Sequence, residues 1–165
     1  MRLCVFRHGI AIDRMDPACP ADPERMLTPR GIEKTRLAAR GLARLGVEAE
    51  AIYASPYRRA RETAELACEA LPLAPIEIRE TDTLLPFADG RDFLKLLARD
   101  MPDSALCAGH RPHMDDLIAA ALGLDRPFCT LKKAGAALIE WSPRMRGELL
   151  WLVQPKALRD LGGAS

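Results

Sequence analysis

Three short stretches of the 165-residue chain place unusual residues where apolar runs end. Arg7-His8-Gly9 follows the run at residues 3–6. Ser55-Pro56-Tyr57-Arg58-Arg59 follows residues 51–54, and Gly109-His110-Arg111 follows residues 104–108. Two of the three histidines in the chain lie in these stretches. Taken singly, each feature has an ordinary reading: a hydrogen-bonded histidine, a turn glycine, a solvated arginine pair. Together they suit phosphoryl transfer. Guanidinium groups bind phosphoryl oxygens bidentately and neutralise them. A neutral imidazole can attack phosphorus and carry the group covalently. A second imidazole can hydrogen-bond a phosphoryl oxygen as charge moves. Such chemistry needs little beyond positioning and electrostatics.

The elements that position these residues follow from the apolar pattern. Residues 3–6 read as a buried strand, and residues 10–27, with three prolines and many charges, as a loop. Thr28-Pro29 is an N-cap with proline at the first helical position. Ile32, Thr35, Ala39, Leu42 and Leu45 then share a helical face that stops at Gly46. Residues 51–54 form a second strand. Ser55-Pro56 repeats the cap-plus-proline signal and opens a helix with Ala60, Ala64, Ala67 and Leu71 inward. Arg58, Arg59 and Arg61 fall in its first two turns, where the macrodipole disfavours cations by a few tenths of a kcal/mol each, roughly. An anion bound at that helix end would reverse the preference.

Pro72 and Pro75 end this helix, and residues 76–79 form a third strand. Residues 92–99 form a short helix with Phe93, Leu96 and Leu97 inward. Residues 104–108 form a fourth strand. Pro112 begins a helix carrying Met114, Leu117, Ile118 and Ala121, which stops at Gly123. Residues 136–141 and 148–153 read as an antiparallel hairpin. The expected fold class is α/β: a single-domain, three-layer α/β/α sandwich with a mostly parallel sheet and a C-terminal β-hairpin, spanning residues 1–158. Residues 159–165 are expected to fray. Ligands of such sheets bind at the carboxyl ends of the strands, where the three stretches lie.

Bulk composition narrows the function. With 24 Lys+Arg against 23 Asp+Glu, the net charge is +1. That gives no electrostatic case for nucleic acid or an anionic membrane. No run approaches the ~20 apolar residues of a membrane span, and Arg7 and His8 interrupt any secretory h-region. Five scattered cysteines, with no C-x-x-C pair, point to reduced thiols and a cytoplasmic setting.

R-H-G after the first strand, S-P-x-x-R-A-R-E-T-A after the second and G-H after a later one resemble the histidine phosphatase (phosphoglycerate mutase-like) superfamily. Arg25-Met26-Leu27-Thr28 with Gly31 is similar to that superfamily's R-P-L-T-x-x-G stretch, with Met26 in place of proline. Chain length and Lys132-Lys133-Ala134-Gly135-Ala136 before the hairpin look most like its smallest branch, the SixA-type phosphohistidine phosphatases. The resemblance covers residues 1–155. It implies His8 as the phosphorylated nucleophile, with Arg7, Arg59 and His110 completing the catalytic phosphate pocket. Arg25 would be a further pocket arginine, and Gly9 would let the backbone approach the phosphoryl group. Arg58 and Arg61 would shape the rim. No cofactor and no metal are implied.

Many phosphomonoesterases of the superfamily carry an acid soon after the third strand. Here the stretch reads Thr83-Leu84-Leu85-Pro86-Phe87, and Glu80, Asp82 and Asp89 nearby read as solvated loop carboxylates. A departing alkoxide resembles hydroxide, whose conjugate acid has a pKa of about 15.7, whereas an imidazolium titrates near ~6.5. A P–N bond therefore breaks without a strong acid. The expected substrate is a phosphohistidine on a protein, such as a histidine phosphotransfer domain. The alternative is a small phosphate ester, with Asp82 or Asp89 as acid. Three rivals are weaker. Cys19 and Arg25 have the C-x5-R spacing of cysteine phosphatases, but Pro20 and Pro23 remove backbone donors. A metal hydrolase would need His8, His110 and His113 with Asp115 or Asp116, and Pro112 interrupts that pattern. A non-catalytic phosphate-binding module would not need all four pocket residues.

Overall fold

A computed structural model describes residues 1–72 and 77–164. In chain order the elements are β1 (Arg2–Arg7), α1 (Pro29–Arg44), β2 (Ala51–Ala54), α2 (Arg58–Ala70), β3 (Ile78–Glu80), α3 (Gly90–Asp100), β4 (Ser104–Gly109), α4 (His113–Ala121), β5 (Ala136–Ser142), β6 (Met145–Val153) and α5 (Pro155–Gly163). The six strands form one mixed sheet in the order β3-β2-β4-β1-β5-β6. The first four are mutually parallel, and β5 and β6 join as an antiparallel hairpin.

The central strands are apolar on both faces because helices cover both. Leu3, Val5, Ala51, Tyr53, Ala105 and Cys107 pack with Phe93 and Leu97 of α3 and Met114 and Leu117 of α4. Their strand neighbours Cys4, Phe6, Ile52, Ala54, Leu106 and Ala108 pack with Ala38 and Leu42 of α1, Ala64 and Ala67 of α2 and Leu158 of α5. This period-two division is what a doubly covered parallel sheet requires.

Thr28 caps α1, its Oγ1 accepting from the Gly31 amide at 2.9 Å. The glycine of the x-x-G spacing has a packing reason: a Cβ at Gly31 would strike the Ile10 carbonyl. Gly46, just past α1, sits at φ +74°, the left-handed region that glycine adopts freely.

Three expectations need correction. First, α2 begins at Arg58 rather than at Ser55-Pro56, with Tyr57 in the cap position. The Ser55 hydroxyl is occupied elsewhere, as described below. Second, β3 starts at Ile78; residue 76, the expected strand start, lies outside the described residues. Third, residues 159–163 do not fray. They complete α5, which lies on α1 through two glycines. A Cβ at Gly41 would strike the Leu158 carbonyl, and one at Gly162 the Leu37 carbonyl. The sequence signal was small residues at a helix–helix contact, which apolar periodicity overlooks.

This close approach predicts a sign. In a frayed tail, Gly162→Ala would be neutral or would raise helix stability by up to ~1 kcal/mol. Docked on α1, the same change should lower the unfolding free energy in urea by about 1–3 kcal/mol through overpacking.

Candidate active site

β1, β4 and β2 are adjacent and end at one level, with Arg7 paired to Gly109 and Ala54 to Ala108. The register continues one residue further: His8 N donates to the Gly109 carbonyl at 2.9 Å and Ser55 N to the Ala108 carbonyl at 3.0 Å. His8, Ser55 and His110 therefore leave the sheet together. His8 and His110 border a cavity of about 670 Å³ whose lining also includes Arg7, Arg25 and Arg59.

His8 is buried, and its Nδ1 lies 2.7 Å from its neighbour Gly9's carbonyl oxygen. A carbonyl can only accept, so Nδ1 carries the proton and Nε2 keeps its lone pair. Burial above all, then His110, Arg59 and Arg7, holds its pKa well below the usual imidazole value against the pull of the Gly9 carbonyl. The ring is thus neutral at pH 7 with a free nucleophilic nitrogen. The His110 ring centroid lies 5.0 Å away. Burial, with Arg59 adding to it, lowers the His110 pKa to about 3. Its Nε2 is 2.9 Å from Ser55 Oγ.

The arginines are held by protein oxygens. Arg7 NH1 donates to the Leu131 carbonyl at 2.6 Å. Arg59, almost fully buried, donates from NH1 to the Asp22 carbonyl at 2.6 Å and lies over the Tyr57 ring. Arg25 lines the cavity with its nitrogens on the Ile12 carbonyl and on Asp22. Among the described residues, six buried side-chain polar atoms have no partner, and three of them are Arg7 Nε, Arg59 Nε and His110 Nδ1. Leaving buried donors unmade costs ~1–3 kcal/mol each. These three nitrogens belong to residues that line one cavity, and no protein acceptor claims them.

Several predicted residues have other placements. Gly9 does not line the cavity; a Cβ there would strike Thr35 Oγ1 of α1, so glycine serves helix packing. Arg58 and Arg61 lie away from the cavity lining, paired with Glu62 at 2.8 Å and with Glu65 and Glu80. His113 is fully buried at the start of α4 and does not line the cavity. Cys19 is likewise outside the lining, its thiol turned to the Pro20 carbonyl. Glu80 pairs with Arg61, and Asp89 caps α3, accepting from the Arg91 amide at 2.9 Å. Pro86 and Phe87 do reach the cavity, Phe87 with 90% of its surface exposed.

Sequence reasoning missed four residues. Ser55 orients His110. Thr63 accepts from the Gly9 amide at 3.1 Å and donates to the Arg59 carbonyl, joining β1 to α2. Buried Asp115 accepts from Arg111 at 2.6 Å and from the Leu131 amide at 3.0 Å, steadying the loop that holds Arg7. Asp22 reaches the cavity from a loop that looked merely solvated. Each acid has an arginine close by in sequence, Arg25 for Asp22 and Arg111 for Asp115, but no local signal shows that Asp22 also meets Arg59 or that Asp115 also holds the Leu131 amide.

A twisted, doubly covered sheet that presents paired imidazoles and arginines at its carboxyl edge defines an α/β protein suited to holding phosphoryl groups. The family model of the histidine phosphatase superfamily (branch 1) matches residues 3–84. The phosphohistidine phosphatase SixA of Escherichia coli is 30% identical, the alignment covering 96% of this chain and 97% of the relative. A protein of Picosynechococcus sp. is 38% identical over 96% of this chain and 99% of its own. The solved structure of the protein histidine phosphatase SixA complexed with tungstate superposes with a TM-score of 0.83 at 27% identity, covering 96% of this chain and 99% of that one. The chain belongs to the histidine phosphatase superfamily, in its SixA-type branch, and is thereby a phosphatase.

The depressed imidazoles set a pH dependence of stability. His8, His110 and His113 all have folded pKa values below the ordinary one, burial being the main cause in each. Below pH ~6.5 the unfolded chain binds protons that the folded chain does not. Stability is therefore full above ~6.5 and falls as the pH drops from there, for His110 down to about 3. His110→Gln should flatten this slope by up to ~1.4 kcal/mol per pH unit, read from urea unfolding between pH 7 and pH 5.

Proposed function

We propose that the protein hydrolyses phosphohistidine on a partner protein, through a covalent phosphohistidine on its own His8 and without a metal ion. His8 Nε2 attacks phosphorus in line, and the bond from phosphorus to the substrate imidazole breaks. The substrate ring, protonated by solvent at its other nitrogen, leaves as neutral imidazole. Water then attacks the phosphoryl group on His8, releasing inorganic phosphate and regenerating the neutral imidazole. Arg7 and Arg59 neutralise the equatorial oxygens, His110 donates to one of them, and Arg25 supplies further positive charge at the mouth.

The observation that carries the choice of leaving group lies after β3. Where related phosphomonoesterases carry an acid, this cavity is bordered by Pro86 and Phe87. The carboxylates of Glu80 and Asp89 are engaged elsewhere. Asp22 does line the cavity. Burial pushes its carboxyl up, but hydrogen bonds and charge from Arg25, Arg59 and Arg14 outweigh that and hold it below the usual range. At neutral pH it is an anion with no proton to give. An imidazole leaving group tolerates this, and an alkoxide does not. The description of the E. coli relative as a phosphohistidine phosphatase supports the same reading. So does the short connection from β3 to α3, residues 81–89, which leaves Phe87 standing free at the mouth.

General acid catalysis is worth ~10²–10⁴-fold. In EDTA, a phosphohistidine protein should therefore be turned over with a kcat/KM at least ~10²-fold above alkyl phosphate monoesters, and His8→Ala should abolish both activities. Faster turnover of the alkyl esters would instead indicate a small-molecule phosphomonoesterase.

A further inference from the structure

Asp22 stands at the head of a single 3-10 turn, Asp22–Glu24, in the long connection between β1 and α1. Its carboxylate is shared among three guanidinium groups that line the cavity. Oδ1 lies 3.2 Å from Arg14 NH2 and 3.0 Å from Arg25 NH1, and Oδ2 lies 3.2 Å from Arg59 NH2. The Asp22 backbone carbonyl takes Arg59 NH1 at 2.6 Å. Both terminal nitrogens of the best-buried arginine are thus held by one residue.

Two oxygens of one anionic group, spread over neighbouring guanidiniums, is the arrangement a phosphoryl group itself seeks. Asp22 therefore sits where the substrate's charge must go. Two further facts bear on whether it can yield. The Asp22 side chain keeps 37% of its surface exposed, so the freed carboxylate has water to enter. Across residues 12–24 no side chain is fully buried, and the segment is tied down by polar contacts such as Arg25 to the Ile12 carbonyl. Such a segment is at the low end of local stability.

We infer that Asp22 is an internal competitor for the phosphoryl site: its carboxylate occupies Arg25 and Arg59 when the cavity is empty, gives way to a bound phosphoryl group, and returns as the phosphate product leaves. The carboxylate weakens the hold on free phosphate and so favours product release. This inference rests on the cavity being the phosphoryl site. It makes Asp22 a specificity residue that selects on charge, and it separates sharply from a purely structural role. If Asp22 only braced the two arginines, its removal would loosen them and weaken anion binding. If it competes with the anion, its removal strengthens binding.

The test is inhibition of phosphoramidate turnover by inorganic phosphate and by tungstate, in the wild-type protein and in Asp22→Asn and Asp22→Ser. Thermal melting confirms that each variant folds. Removing one like charge from a partly screened site should lower Ki for both anions by about tenfold, and KM should fall with it. An unchanged or raised Ki in folded variants overturns the inference while leaving the site reading intact. Wild-type turnover insensitive to both anions would overturn the site reading and this inference with it.

Discussion

Cations and imidazoles crowded around one cavity repel one another, and the rest of the site is organised around that repulsion. Arg7, Arg25, Arg59 and Arg111 all border the space between His8 and His110. At 5 Å, two like charges in a protein environment with an effective dielectric near 20 oppose each other by about 3 kcal/mol. Two devices contain this. Carboxylates pair with the arginines, Asp22 with Arg25 and Arg59 from within the cavity lining and buried Asp115 with Arg111. The imidazoles respond by staying neutral, with burial and the arginines both disfavouring their protonated forms. The neutrality of the imidazoles thus comes first from burial, and the positive field that a phosphoryl group needs reinforces it.

The sheet makes this crowding possible. β2, β4 and β1 end in register, so three loops that are far apart in sequence emerge within one ring contact of each other. Their positions are then fixed by backbone pairing rather than by long side chains. The Ala134 amide is shared between the Arg7 and His8 carbonyls, and the Gly135 carbonyl accepts from the Arg7 amide, so the segment before β5 straps the end of β1. The helices contribute through close approach. Gly31 against Ile10 and Gly9 against Thr35 draw α1 down onto the loop that carries His8. A glycine expected to make room for a phosphoryl group makes room for a helix instead.

Much of the fold was legible because its signals are local. Alternating apolar strands and helices, Thr28-Pro29 and the positive-φ Gly46 each announce themselves within a few residues. So did the pairing of imidazole and guanidinium at three strand ends. What was not legible depends on distant partners. Ser55-Pro56 looks like a helix cap because serine before proline usually is one, yet the Ser55 hydroxyl turns to His110. Leu161-Gly162-Gly163 looks like a frayed end because glycine favours disorder in isolation, yet Gly162 is what lets α5 touch α1. Asp115, weighed only as a metal ligand, instead pairs with Arg111 and holds the Leu131 amide, and the contact of Asp22 with Arg59 appears only in the tertiary structure.

These constraints place the reaction's demands on one atom. The His8 Nδ1 proton is committed to the Gly9 carbonyl, so in the proposed reaction Nε2 is the atom that accepts phosphorus. In that proposal Arg7, Arg59 and His110 receive charge rather than make bonds. Rapid quenching of the protein during turnover of a labelled phosphohistidine substrate, followed by peptide mapping under alkaline conditions, tests this directly. The predicted result is an acid-labile phosphoryl group on His8, bonded at Nε2 and absent from His8→Ala. A phosphoryl group bonded at Nδ1 or carried by another residue, or full turnover with no trapped intermediate in His8→Ala, would contradict it.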